Sequence, residues 1–152
     1  MFLVRLTYAS TANNLDPEEI ASILATAQKF NKSKDITGML CFSRKYFLQS
    51  LEGSRQAVNT LYSKICLDKR HSKMLLLDYG EISKRDFPSW SMAYVPEKQL
   101  TKEICLTYSL TDEFNPYKLS QASAHDLMLE LKKVLPQEGQ SQQKIDIASK
   151  SA

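Results

Sequence analysis

This chain has no cysteine pair, no glycine-rich phosphate loop and no apolar run of membrane length, and each absence removes a class of function. Its three cysteines, Cys41, Cys66 and Cys105, are odd in number and far apart, with no C-x-x-C. That spacing argues against a disulfide framework or a zinc site, and for buried thiols in a reducing compartment. The cytoplasm is the expected location. A G-x-G-x-x-G fingerprint is missing, and the two histidines, His71 and His125, are too few for a metal-ligand cluster. Nothing approaches the roughly 20 apolar residues of a spanning helix. Met1 to Arg5 reads as a first strand, not as a signal peptide. With 20 basic and 17 acidic residues, the net charge of +3 is too balanced to indicate nucleic acid.

What is present is an ordinary globular composition in a length that suits one domain with some surplus. Phe2, Val4, Leu6 and Tyr8 alternate with Leu3, Arg5 and Thr7, the period of a strand. Asp16-Pro17-Glu18-Glu19 is a helix start, with Asp16 as N-cap, Pro17 at the first helical position and Glu19 completing a box. Ile20, Ile23, Leu24 and Ala27 then form one apolar face, and the helix is expected to end near Phe30-Asn31. Ile36 to Phe42 and Tyr46 to Leu51 read as a hairpin joined through Arg44-Lys45.

Ser54 can cap a second helix with Val58, Leu61, Tyr62 and Ile65 on its buried face. Lys69, Arg70 and His71 near its end complement the helix dipole. Met74 to Leu77 is a continuous apolar run, suited to a strand covered on both sides. A last strand is expected from Trp90 to Val95. The order β-α-β-β-α-β-β predicts an α+β, ferredoxin-like sheet with two helices on one face and one extra strand. The expected organisation is a core of residues 1–96, a C-terminal helical cap of 97–136 and a disordered tail of 137–152. Within the cap, Glu97 to Leu106 is one helix candidate. Ser120 or Ser123 to Leu135 is the better one, with Leu127, Leu131 and Leu135 spaced by four.

One strand carries an amide where a hydrocarbon is expected. In Phe47-Leu48-Gln49-Ser50-Leu51-Glu52-Gly53, residues 47, 49 and 51 share a face. Gln49 therefore lies among apolar neighbours, and burying its amide unpaired costs about 1–3 kcal/mol. A lone Gln is most simply satisfied by backbone, a strand Tyr is usually core, Asn31 at a helix end is usually a C-cap, and Trp90 usually packs. Tyr8 is the exception that links them. The first and third strands of such a sheet are neighbours, so its hydroxyl can reach Gln49, with Asn31 offering a second amide near the same end.

Taken in order, Leu6-Thr7-Tyr8-Ala9-Ser10, Phe30-Asn31, Ile36-Thr37-Gly38-Met39-Leu40, Phe47 to Gly53, Asp68-Lys69-Arg70-His71 and Trp90-Ser91-Met92 resemble a BLUF (blue light using flavin) domain, of the short type with no attached effector. Tyr108-Ser109 and Phe114-Asn115-Pro116 are similar to the C-terminal cap of short members. The resemblance implies a flavin, FAD with FMN possible, bound non-covalently between the two helices. It implies Ile23 packed on the ring, Asn31 on the ring's polar edge, and Asp68, Arg70 and His71 beside ring and ribityl chain. It casts Tyr8 as electron donor, with the proton passing through Gln49, whose amide exchanges donor for acceptor on rearrangement. Trp90, Ser91 and Met92 are the implied relay, with Trp90 and Met92 on one strand face.

The resemblance implies a photoreceptor and not an enzyme. A flavin-dependent redox enzyme and a light-independent module sensing temperature or redox state are the alternatives. An RNA-binding sheet would need exposed aromatics, whereas the open face is expected to carry Arg5, Thr7, Leu48, Ser50 and Glu52. His125 is expected at the surface. No effector sequence follows residue 96, so output is expected to pass to a separate signalling protein or another copy of the chain, with neither nucleic acid nor membrane as partner. The leucine stripe of the terminal helix suits either docking or covering the back of the sheet.

Overall fold

The alternation in the first segment becomes β1 (Leu3–Ala12), whose even-numbered Val4, Leu6 and Tyr8 enter a core under two helices. The computed structural model describes residues 2–135, so the expected tail of 137–152 lies outside the described residues. α1 (Pro17–Ser33) starts with the predicted capping box: Asp16 Oδ1 accepts from Glu19 N at 2.8 Å and Glu19 Oε1 from Asp16 N at 3.3 Å. β2 (Thr37–Phe42) and β3 (Tyr46–Ser54) form the hairpin. α2 (Arg55–Leu67) begins where Ser54 accepts from Ala57 N. Next come β4 (His71–Ile82) and a short β5 (Ala93–Val95). Two helices follow, α3 (Lys102–Tyr108) and α4 (Gln121–Lys132), the second capped by Ser120.

The sheet order is β4-β1-β3-β2-β5, antiparallel except for the β2–β5 pair. This is the expected ferredoxin-like sheet plus one strand, and it makes β1 and β3 neighbours. α1 and α2 cover one face, where Leu6, Leu24, Leu51 and Val58 are buried together. The reverse face, expected to be open, is covered. Met39, Cys41 and Leu48 pack there against Phe87, Trp90, Leu127, Met128 and Leu131. Burying each of these α4 side chains contributes about 1.5–3 kcal/mol, which is why the leucine stripe closes on the sheet. The sheet face that an RNA-binding fold would need is therefore under α4.

Four local expectations change. α1 continues to Ser33, so Asn31 lies within its last turn and is not the cap, a role taken by Lys34. The Met74–Leu77 run is not covered on both sides: β4 is an edge strand, with Leu75 42% and Leu76 48% exposed. Two register shifts against β1 and a positive φ of 55° at Lys73 break its alternation. Residues 90–92 are not part of β5: Trp90 O still meets β2, but the Ser91 and Met92 carbonyls are taken by side chains of α1. Gly38 N donates to Trp90 O at 3.1 Å, Asn31 Nδ2 to Ser91 O at 2.8 Å and Gln28 Nε2 to Met92 O at 3.2 Å. Finally, His125 is half-buried, with Nε2 3.1 Å from Asp86 Oδ2.

Candidate functional site

Between α1 and α2, over the middle of the sheet, lies a cavity of about 340 Å³, within the range of small-molecule sites. Its floor is Tyr8 on β1, Gln49 and Phe47 on β3, and Leu40 on β2. Tyr8 and Gln49 are direct cross-strand partners, as are Leu40 and Gln49, so the register alone places the phenol beside the amide. Ile23, Ala27, Phe30 and Asn31 form the α1 wall, and Leu61 and Ile65 the α2 wall. The result is an apolar slot with two amides and a phenol at defined points.

The polar groups form one chain. Tyr8 Oη donates to Gln49 Oε1. Gln49 Nε2 donates to Met92 Sδ at 3.3 Å, so oxygen and nitrogen of the amide each have one assigned neighbour. Burial pushes the Tyr8 hydroxyl far above its ordinary pKa, with Tyr62, Cys66 and Asp68 adding to the effect. Tyr8 is therefore a proton holder, not a phenolate, at any physiological pH. The Tyr62 ring lies 5.6 Å from that of Tyr8, and burial followed by its contact with Cys66 pushes Tyr62 up to about 12. Asn31 is 1% exposed; its nitrogen is used on Ser91 O, while its Oδ1 has no partner among the described residues. A buried acceptor left unpaired costs about 1–3 kcal/mol, so this oxygen is suited to an N–H on a ligand in the slot.

The remaining predicted residues sit at one end of the cavity. Arg70 closes on Asp68, with Nε 3.0 and 3.1 Å from the two carboxylate oxygens and Nη2 2.6 Å from Oδ2. The hydrogen bond from Arg70 holds the Asp68 carboxyl below its ordinary value. His71 lines the cavity with its ring, but both nitrogens are engaged, Nε2 with Ile65 O at 2.7 Å and Nδ1 with Ser10 Oγ at 2.8 Å. A carbonyl only accepts, so Nε2 donates and, in the neutral ring, Nδ1 accepts from Ser10.

Trp90 and Met92 do not share a face. Met92 lies in the core under α1 and α2, whereas Trp90 packs on the reverse side with α4. The bend at 90–92 separates them, so one short segment touches both sides of the sheet. Ser91 contributes its carbonyl to Asn31. Lys64 and Gln28 are further site residues that the sequence reading passed over. Lys64 Nζ stands 4.5 Å above the Phe30 ring at the cavity, and Gln28 holds the Met92 carbonyl. Their only signal was a helical position one turn from a recognised wall residue.

The slot between two helices offers an unpaired amide oxygen at its edge and a phenol–amide pair on its floor, a donor set suited to a flat heteroaromatic ring. Residues 3–93 match the family described as sensors of blue-light using FAD, and the chain belongs to that family, BLUF. It is 33% identical over 100 residues to photoactivated adenylate cyclase subunit beta of Euglena longa, a match covering 64% of this chain and 12% of that protein. It is 36% identical over 81 residues to the blue light- and temperature-regulated antirepressor BluF of Escherichia coli, covering 51% and 20%. Among solved structures, BlsA in its photo-activated state superposes with a TM-score of 0.79 at 33% identity, covering 89% of this chain and 97% of that one. The chain thus corresponds to a small part of the curated relatives named here and to nearly all of BlsA. The shared family is one of flavin-binding blue-light sensors, and these relatives are light-regulated signalling proteins.

Proposed function

We propose that this protein is a blue-light receptor, not a catalyst, which holds FAD in the α1–α2 slot and reports illumination through contact with a separate cytoplasmic protein. FMN carries the same ring and would load the same slot. The Tyr8–Gln49–Met92 chain on the cavity floor carries this reading. Asn31 Oδ1, buried and unpaired, fits the ring's polar N–H edge, and Ile23 its face. Asp68 and Arg70, together with Lys64, would frame the end from which the tail of the cofactor leaves. His71 would brace Tyr8 and Phe47 through edge contacts at 6.2 and 5.7 Å, without donating to the ligand.

When bound and excited, the flavin supplies a brief, strong electron acceptor and a ring carbonyl that accepts hydrogen bonds. Beside a bound ring Tyr8 would be the donor, its hydroxyl holding a proton that would pass to Gln49 Oε1. The proton would return to Tyr8 Oη, so the protein would keep its redox state. Gln49 would be left rearranged, its N–H and C=O exchanging directions within one footprint. A net hydrogen bond is worth about 0.5–1.5 kcal/mol, so the output is a shift between two nearly balanced arrangements. Met92, the neighbour of the amide nitrogen, is the first side chain obliged to respond. Trp90, two residues away on the α4 side, extends the response to the reverse face.

The test is an absorption spectrum of the purified protein in darkness and after blue light. A flavin spectrum that moves slightly to the red and relaxes in the dark is expected. A flavin that bleaches or does not move refutes the light-sensing cycle, and failure to retain added FAD refutes the site.

A further inference from the structure

The segment that brings Ser91 and Met92 to the cavity is anchored from the opposite side of the sheet. Glu52 lies three residues beyond Gln49 on β3 and so faces the other way. Its side chain is fully buried. Oε2 accepts from Asp86 N at 3.0 Å and Oε1 from Phe87 N at 2.7 Å. Arg5 supplies the counter-charge, with Nε 2.9 Å and Nη2 2.8 Å from Oε2, and the same Nη2 lies 2.5 Å from Asp86 Oδ2. Arg85 secures the adjoining residue, donating to Thr37 Oγ1 at 2.9 Å and Asp35 O at 2.8 Å. Residues 85, 86 and 87 are thus all held, two of them by one carboxylate.

Hydrogen bonds to a charged partner are about twice as strong as neutral ones. Further along, the carbonyls of residues 90–92 accept from neutral groups, Gly38 N and the Asn31 and Gln28 amides, and the Met92 sulfur accepts from Gln49. The strong seat is therefore at Asp86-Phe87, and the weaker contacts at the cavity are set by the chain length between. From outside, Lys132 Nζ donates to Asp86 O and His125 approaches its carboxylate, so α4 closes the seat.

We propose that Glu52 is a positioning residue of the switch: by seating residues 86 and 87 it sets the reach of Met92 toward Gln49, and with it the lifetime of the rearranged amide. The inference rests on the Tyr8–Gln49 reading. It adds a residue that touches neither cofactor nor cavity.

The test is Glu52→Gln in the full chain, with Arg85→Met as a second variant that loosens the same segment and removes a partner of the Glu52 carbonyl but none of its carboxylate. Two readouts are taken. Amide hydrogen exchange in darkness should quicken by about tenfold or more across residues 84–92 in Glu52→Gln, while β1 and the first half of β3 stay within about twofold. Under illumination the red shift should keep its size, since Tyr8 and Gln49 are intact, and dark recovery should change by about fivefold or more. Arg85→Met should move both readouts the same way by a smaller factor, and it decides the matter if Glu52→Gln does not fold. Unchanged exchange and recovery overturn the proposal, as does exchange that quickens equally throughout the sheet. A wild-type spectrum that does not respond to light refutes the Tyr8–Gln49 reading and the lifetime claim with it; the exchange experiment then separately decides whether Glu52 seats the segment.

Discussion

Replacing Tyr8 by Phe removes one oxygen and little volume, which makes its two consequences separable. The ring stays between Tyr62 at 5.6 Å and His71 at 6.2 Å, so packing in the slot is retained. The loss falls on Gln49 Oε1, which is buried and gives up its donor. A buried acceptor left unpaired costs about 1–3 kcal/mol. Because Gln49 borders the cavity, water or the ligand can reach it, and the lower part of that range applies, about 1–2 kcal/mol. For a chain of this length that corresponds to a fall in Tm of about 2–8 °C, measured on the protein without added flavin. Flavin should still bind, with an affinity within a few fold of the parent, because the walls from α1 and α2 and the Asn31 edge are untouched. The light-induced red shift should vanish, since the proposed electron and proton donor is gone. Difference spectra before and after blue light, taken at matched flavin occupancy, decide the point. A variant that binds flavin, shifts and recovers like the parent would refute the Tyr8–Gln49 mechanism, whatever its Tm.

Other outcomes test separate parts of the reading. Asn31→Ala should weaken flavin binding by about tenfold or more by titration, since it removes a buried acceptor and frees the Ser91 carbonyl. Met92→Ala should keep the spectral shift but abolish light-dependent capture of the signalling partner; unchanged capture would remove Met92 from the relay. Leu131→Ala should destabilise the fold by about 2–5 kcal/mol in denaturant unfolding, because its side chain is buried between α4 and the sheet. Asp68→Asn addresses pH. The folded-state pKa of Asp68 is depressed below its ordinary 3.8, so its pairing with Arg70 stabilises above that value and is lost as pH falls through the lower folded-state value. The difference in Tm between parent and variant should therefore be present at pH 7 and shrink below about pH 3.8, with a small size because the pair is about one-third exposed.

In the proposed relay, the opposed placement of Trp90 and Met92 changes how a signal would leave the site. Side chains on one strand face would compete for a single position beside Gln49. Here Met92 lies by the amide and Trp90 lies under α4, joined by a short segment whose carbonyls are held by β2 at Trp90 and by α1 at Ser91 and Met92. A small displacement of this segment is felt on both faces of the sheet at once, which suits a switch driven by about one hydrogen bond.

Local chemistry in the sequence determined the helix starts at Asp16 and Ser54, the alternation of β1, the hairpin of β2 and β3, and the adjacency of Tyr8 and Gln49. All but the last depend on residues a few positions apart or on a strand period of two; the Tyr8–Gln49 contact, 41 positions apart, followed from the neighbouring first and third strands of the expected ferredoxin-like order. The Met74–Leu77 run misled because an apolar run reports hydrophobicity and not position in the sheet, and β4 is at the edge. The start of β5 misled because residues 90–92 alternate like a strand, yet the carbonyls of Ser91 and Met92 are claimed by Asn31 and Gln28 on α1, far away in sequence. The same holds for His125 on Asp86, for α4 over the reverse face and for Glu52 seating residues 86 and 87. Only the tertiary structure decided these, because each is a choice between long-range partners whose competing hydrogen bonds and buried areas have no counterpart in local spacing.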